Sequence, residues 1–298
     1  MENRIKSFLT ICRLGSFTAA ANRLNVTQPS LTKRLRLLEE EYGQTLLERG
    51  ANGARPTAAG LALLYYAERL EAEYHQSREA VAAASNVGVS VLRIGAGPLF
   101  HLRYLAEPLI EIRKRFPATR LEVTTGLYRE TMPRLAENSI DIVFGADEGL
   151  AIDEQLRFVR LTHVEQCVAL RSDHPILGHD RINAAALHDL DWVIYGNREE
   201  DAALVRGFFG RSGYEGPRLH MVTSSFTLGL QVVAHSDHAM MIPRAISSRL
   251  DVDGVVSRQT DPPIADLPAG AFLRASTLGY PIVQSLLEEV ECCIRNGS

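Results

Sequence analysis

Apolar residues recur along this chain with three different spacings, each predicting its own architecture. At the start they come in short helical bursts. Ile5, Phe8, Leu9 and Cys12 stand at i, i+3, i+4 and i+7, one buried stripe of a first helix in which Cys12 is a core residue. Gly15-Ser16 stops that helix, and Ser16 can cap a second that turns Phe17, Ala20, Ala21 and Leu24 inward. After a short turn at Asn25-Val26, Thr27 is placed to cap a third helix. Pro29 falls in its first turn, where a missing N–H does no harm. Leu31, Leu35 and Leu38 form the buried face of that helix, while Gln28, Pro29, Ser30, Thr32, Lys33 and Arg34 lie on the opposite face. Residues 46–57 read as a β-hairpin with a glycine-rich tip flanked by Arg49 and Arg55.

The second spacing belongs to a connector. From Thr57 to about Val87 there is no proline, and alanine, leucine and glutamate dominate, which predicts one long helix. Leu63, Ala67, Leu70, Tyr74, Ser77, Val81 and Ala84 alternate spacings of four and three, a heptad seam. Such a seam calls for a partner helix; the plainer alternative is an amphipathic helix packed on its own domain. Asn86 to Ser90 reads as a hinge. From residue 91 strands and helices alternate. Strands are expected at Val91–Gly97, Leu121–Thr125, Ile140–Gly145, Glu165–Leu170 and Trp192–Tyr195. A helix from about Leu102 to Phe116, ended by Pro117, turns Leu102, Leu105, Leu109 and Ile112 inward. The rhythm is that of α/β sheets, in which ligands sit beyond the carboxyl ends of the strands.

Composition narrows the class. With 298 residues, 46% hydrophobic and 23% charged, the chain is globular and long enough for at least two domains. No apolar run approaches the roughly 20 residues of a bilayer span. Charge interrupts the first residues before any signal-peptide core forms, and four scattered cysteines make no disulfide framework. A cytoplasmic protein with no membrane contact is the expectation. The net charge of -4 is unevenly spread: residues 1–60 carry nine Lys or Arg against five acids, and the remainder 23 against 31. A basic head on an acidic body implies a polyanion for the head.

Two short helices joined by a tight turn, the second opening on polar and basic residues, form a helix-turn-helix. Its Gln can read adenine and its Arg or Lys guanine, while hydroxyls bond phosphate. Ser30-Leu31-Thr32-Lys33 also matches the S-x-x-K nucleophile motif, but the companion S-D-N and K-T-G motifs are absent, so catalysis there is set aside.

The stretch Gly15-Ser16-Phe17-Thr18-Ala19-Ala20-Ala21-Asn22-Arg23-Leu24-Asn25-Val26-Thr27-Gln28-Pro29-Ser30-Leu31-Thr32 resembles the winged helix-turn-helix of LysR-type transcriptional regulators. Its continuation through Leu37-Leu38-Glu39-Glu40-Glu41-Tyr42-Gly43, Leu46-Leu47-Glu48-Arg49 and Pro56-Thr57-Ala58-Ala59-Gly60 is similar to that family too. The resemblance implies an overall α/β fold in three parts. These are a winged helix-turn-helix at 1–58, a linker and dimerisation helix at 59–87, and a two-lobed effector domain like periplasmic binding proteins at 88–298. The first lobe would comprise about 91–162 plus 268–298 and the second 163–267. It implies DNA contact by Thr27, Gln28, Pro29, Ser30, Thr32, Lys33 and Arg34, with Arg49 and Arg55 from the wing. Dimerisation would run through Leu63, Ala67, Leu70, Tyr74 and Val81. Double-stranded operator or promoter DNA, further copies of the chain in a dimer or tetramer, and RNA polymerase are the implied partners.

The resemblance also implies an effector pocket between the lobes. By position its walls are Leu99, Phe100 and His101, then Thr125, Gly126 and Leu127, faced by Tyr195, Asn197, Arg198, Ser224, Ser225 and Phe226. A helix start at the serine pair, with Arg198, suits a carboxylate. Pro98-Leu99-Phe100 stands where many relatives offer a hydroxyl, so one end of the effector is expected to be apolar or aromatic. Gly95-Ala96-Gly97-Pro98-Leu99-Phe100 lacks the third glycine of a dinucleotide loop. His235-Ser236-Asp237-His238 and His174 to His179 lack four-ligand spacing, so no metal, no cofactor and no catalytic residue is expected. Two alternatives stand beside this reading: a regulator switched by oxidation of Cys167 or Cys292-Cys293, and an enzyme or transport-related binding protein using the body.

Overall fold

Helix α1 (Asn3–Leu14) ends at Gly15, which takes the left-handed conformation, φ +60°, and returns its N–H to the Ile11 carbonyl at 2.8 Å. The Ser16 hydroxyl accepts the Ala19 N–H at 3.3 Å and starts α2 (Phe17–Arg23). Asn25, φ +52°, turns the chain toward α3 (Gln28–Tyr42), where Thr27 accepts the Ser30 N–H at 3.4 Å. The hairpin β1 (Leu47–Gly50) and β2 (Gly53–Pro56) follows, in register from Leu47 opposite Pro56 to Gly50 opposite Gly53. Thr57 caps α4 (Ala58–Ala84), its hydroxyl accepting the Gly60 N–H at 3.0 Å.

This computed structural model describes residues 2–50, 53–84, 89–149, 153–178, 181–249 and 252–296. Side chains at 49–50, 75–76, 78–80, 82–84, 181 and 248–249 also fall outside the description. The wing tip at 51–52, the hinge residues Asn86–Gly88 and His179 are therefore outside it. The chain divides into two units, Met1–Val81 and Ala82–Ser298.

In the first unit, Phe8, Phe17, Leu31, Leu38 and Leu46 from successive elements share one core. Leu63 and Ala67 of α4 belong to that same core, at 7% and 0% exposure. The heptad seam expected along α4 is therefore revised. Its first two members pack on their own unit, because the first turns of α4 must cover α1 to α3, whereas Leu70, Tyr74 and Val81 remain exposed.

The second unit is built on one continuous sheet. Strands β3 (Val91–Ala96), β4 (Arg120–Thr125) and β5 (Ile142–Ala146) are parallel in the order β4-β3-β5. Strands β8 (Asp191–Tyr195), β9 (Arg218–Thr223) and β10 (Ala239–Pro243) form a second parallel set in the order β10-β8-β9. Two long antiparallel strands, β6 (Leu156–Arg171) and β12 (Ala265–Arg274), join the sets: β12 lies beside β5 and β6 beside β10. Strand β11 (Val255–Asp261) pairs with β6 and with β7 (Arg181–Asn183). Helices α5 (Ala106–Arg115), α6 (Tyr128–Ala136) and α10 (Pro281–Asn296) accompany the first set. Helices α7 (Ala184–His188), α8 (Ala203–Arg211) and α9 (Phe226–Ala234) accompany the second, where Trp192, Phe208 and Phe209 are wholly buried. The two sets are lobes I and II. The β6–β12 ladder crosses between them with a register shift at Ala269/Gly270, beside the Thr162 and His163 pairings.

The helix expected from Leu102 begins differently. Phe100–Tyr104 is a π-helical turn, in which the Leu105 N–H reaches back five residues to Phe100 at 3.0 Å. The wider turn changes the phase, so Phe100, Tyr104, Leu105, Pro108 and Ile112 point inward. Leu102 is exposed and Leu109 only half-buried.

Candidate nucleic-acid interface and ligand cleft

Helix α3 is anchored by three leucines and leaves its opening turns to solvent. Gln28, Pro29 and Lys33 are exposed; Ser30, Thr32 and Arg34 are half-buried. The arginines of this unit are sorted. Arg4 pairs with Glu2 and Glu41, Arg13 with Glu71 at 2.7 Å, and Arg36 with Glu40 at 2.8 Å. Among the described residues Lys6, Arg23, Lys33, Arg34, Arg55 and Arg69 have no such ion pair. Three of these uncompensated cations, Lys33, Arg34 and Arg55, stand on the opening turns of α3 and on the wing, where a helix-turn-helix meets DNA. Backbone contacts hold the wing in place. The Ala54 N–H donates to the Gly15 carbonyl at 2.8 Å, and a Cβ at Gly53, φ +106°, would lie 2.2 Å from that same oxygen. Glu39 ties the hairpin to the end of α3 by accepting the Leu46 and Leu47 N–H groups at 2.9 and 3.3 Å. Arg55 is exposed; the Arg49 side chain lies outside the described residues.

The second site is a cleft between lobes I and II at the carboxyl ends of β3, β4, β5 and β8. Its cavity volume is about 110 Å³, where one water takes about 10–15 Å³. Leu99, Phe100, Gly126, Tyr195 and Phe226 line it as expected, with Leu127 beside them. Phe100 stacks on Phe144 at 5.4 Å and Tyr195 meets Phe226 edge-on at 5.3 Å, so the walls are chiefly aromatic and aliphatic.

Six expected residues are not in those walls. His101 turns back, its Nδ1 3.0 Å from the Gly97 carbonyl, and burial pushes its pKa down. Thr125 and Ser224 are exposed, and Ser225 caps α9 by accepting the Leu228 N–H at 3.2 Å. The Asn197 and Arg198 N–H groups donate to Asp201 at 2.8 and 3.1 Å, which closes the loop before α8. The Asn197 amide donates across the cleft to Glu130, so this residue clasps the two lobes. The carboxylate grip expected of Arg198 and the serine pair is thus not built into the cavity. Of these groups the Ser225 hydroxyl is taken up by its helix cap.

The polar groups that do line the cleft are Arg129, Glu148, Gln166, Glu200 and Asp201, with the Tyr128 hydroxyl. They are mostly acceptors. Gln166, at 8% exposure on β6, presents an Oε1 that is buried without a partner among the described residues, and the Tyr128 hydroxyl is likewise unpaired. Burial pushes the Glu148 carboxyl up; Arg129 opposes this and Asp201 and Asp147 add to it. Burial, then Asp147 and Glu148, push the Tyr128 phenol up as well. Two signals in the sequence mark these residues: Gln166 is polar inside an apolar strand, and Glu148 follows the end of β5.

The cysteines are placed poorly for a redox switch. Burial pushes Cys167 up to about 12 and Cys12 up to about 11, where the reactive thiolate is scarce. Cys292 and Cys293 are consecutive on α10, and neighbours on a helix point about 100° apart.

Comparisons with known proteins match both parts of the chain. A family model described as bacterial regulatory helix-turn-helix protein, lysR family, matches residues 3–61, and one described as LysR substrate binding domain matches 86–292. The HTH-type transcriptional regulator ShiR of Corynebacterium glutamicum (strain R) is 30% identical, covering 83% of this chain and 87% of its own. The SDS degradation transcriptional activation protein of Pseudomonas sp. (strain ATCC 19151) is 27% identical over 80% and 78%. In fold the chain is similar to full-length CbnR in complex with its target DNA, with a TM-score of 0.67 and 23% identity over the whole of both chains. Among the described residues no helix is long and apolar enough to cross a membrane.

Proposed function

Since the chain belongs to the LysR family of bacterial transcriptional regulators, we propose that it reads operator DNA through Thr27, Gln28, Pro29, Ser30, Thr32, Lys33 and Arg34, with Arg49 and Arg55 on flanking phosphates. The observation that carries the reading is the uncompensated Lys33 and Arg34 on the exposed opening turns of a capped α3. It acts as a dimer or a pair of dimers on a two-fold operator, with RNA polymerase as its further partner and no catalytic step of its own. The exposed Leu70, Tyr74 and Val81 of α4 support self-association.

The cleft holds a small effector. Binding favours one packing of subunits over another, which is the only way an effector can alter operator affinity. An apolar, acceptor-rich cavity with a buried unpaired Gln166 Oε1 suits an apolar molecule that ends in hydrogen-bond donors, an amine or hydroxyls, better than a bare carboxylate. The test is retention of fragments from the gene's own neighbourhood by the full-length protein, at several salt concentrations, with amine, hydroxyl and carboxylate metabolites added. Retention of one fragment, altered by a donor-bearing compound, is the expected result. A response to carboxylates alone would overturn the effector chemistry, and equal retention of all fragments would overturn specific reading.

A further inference from the structure

Three chemistry-bearing side chains used by neither the DNA-reading surface nor the cleft meet in lobe II. Asp191 opens β8, and the register of β8 with β10 sets His238 beside it, one residue before the Trp192–Ala239 pair. On the other flank the β8–β9 register slips: Trp192 faces Leu219 but Val193 faces Met221, so His220 is the extra residue of a bulge in an edge strand. Bulges in that position re-aim a side chain. As a result one ligand atom each from Asp191, His220 and His238 lies within 4.8 Å of the other two. The two imidazoles meet edge-on, with ring centroids 4.6 Å apart.

The hydrogen bonds around His238 decide which of its nitrogens is available. The Ser236 hydroxyl donates its one proton to the Val232 carbonyl at 2.5 Å, and therefore faces His238 Nδ1, at 2.7 Å, as an acceptor. Nδ1 then carries the ring proton and Nε2 keeps its lone pair. That Nε2 is buried and has no hydrogen-bond partner among the described residues. An imidazole pinned through one nitrogen with the other left bare is how histidine is presented to a metal ion.

We infer that Asp191, His220 and His238 bind one divalent transition-metal ion, of the class of Zn²⁺, on lobe II. Two imidazoles and a carboxylate suit zinc, cobalt, nickel or copper; magnesium and calcium prefer all-oxygen shells. Three protein ligands leave a fourth position for water. Ligand atoms on one such ion stand at most about 4 Å apart, so closure takes side-chain movement on the order of 1 Å. His220, which is exposed, can supply it. The competing contact is an exposed Asp191–Arg218 pair at 3.5 Å, a kind that contributes little.

The experiment titrates chelator-stripped, full-length protein with Co²⁺ and follows the visible absorption of the ion. One equivalent with the spectrum of a tetrahedral nitrogen and oxygen site, displaced by Zn²⁺, is expected. His220→Ala and Asp191→Asn, both at solvent-accessible positions, should each weaken it at least about tenfold. Ser236→Ala should weaken it about 10–100-fold by freeing the ring. His235→Ala, an exposed histidine outside the cluster, should leave it unchanged. A Co²⁺ spectrum unaltered by His220→Ala and Asp191→Asn, or one with thiolate character that Cys292→Ser removes, would overturn the assignment.

Discussion

Replacing Gln166 by methionine should make the protein more stable and less responsive at once. Gln166 is 8% exposed and lines the cleft, and its Oε1 is buried and unpaired among the described residues. A buried acceptor without a partner costs about 1–3 kcal/mol. Methionine has nearly the same volume and no such acceptor, and volume-conserving changes in a packed site cost less than about 1.5 kcal/mol. The difference is a net gain of about 1 kcal/mol, which for a unit of this size raises the thermal midpoint by about 2–4 °C. The bound state responds in the opposite sense, since the lost acceptor is the one a donor-bearing effector would occupy. About 1.4 kcal/mol there multiplies the half-effective concentration tenfold. The assay pairs thermal unfolding of the effector-free protein with an effector titration of operator binding. A midpoint that falls by several degrees, with the effector response unchanged, would refute the reasoning, because it would mean that Oε1 is satisfied without ligand.

Arg34→Ala should weaken specific operator binding by about 1–3 kcal/mol if Arg34 bonds a base. If it meets only phosphate, affinity falls evenly across sequences with a shallower salt dependence, and filter binding at several salt concentrations separates the two. Leu70→Glu, at a position 50% exposed on α4, should lower the mass measured by light scattering. An unchanged mass would place the self-contact elsewhere. Arg274→Met should destabilise the second unit by about 3–5 kcal/mol in urea, since it strips the Leu135 and Ile140 carbonyls of bonds at 2.7 and 2.9 Å and leaves Asp141 buried. Burial pushes the Asp141 carboxyl up, against the opposing Arg93 N–H and Arg274. Its contribution is therefore full below the ordinary value of about 3.9 and lost as pH rises through the raised one, so Asp141→Asn should lessen the loss of stability on raising the pH through that window. Cys167, at 1% exposure, should resist iodoacetamide under native conditions while Cys292 reacts.

The helices of the head were legible because what starts, stops and packs them is local. Ser16, Thr27 and Gly15 act within three or four residues of themselves, and Leu31, Leu35 and Leu38 repeat at helical spacing. Where a helix had to choose between partners, spacing was insufficient: nothing in Leu63 and Ala67 distinguishes a neighbour in the same unit from a second copy. The π turn at Phe100–Tyr104 changed the phase of a correctly expected helix and exposed Leu102. The aromatic wall of the cleft followed from strand ends, but its acceptors did not. Ser225 and the Asn197–Arg198 loop are taken up by local caps, while Asn197 also reaches Glu130, a residue brought near only by folding. The Asp191, His220 and His238 cluster was hidden for the same reason, since its spacing becomes meaningful only through a bulge between strands.

The strand that completes the sheet follows all the other described strands in chain order. Strand β12 lies between β5 and β6 in the sheet, yet its pairing with β5 joins residues on the order of 100 positions apart. While the chain is being made, the head and then most of lobe II have all their strands in hand, but β5 and β6 each keep an open edge. Such edges attract other strands during synthesis, and here the condition lasts until residue 274 has left the ribosome. A message truncated before residue 265 would encode the whole reading head but leave β5 and the Leu156–Gln166 stretch of β6 without the strand that joins them.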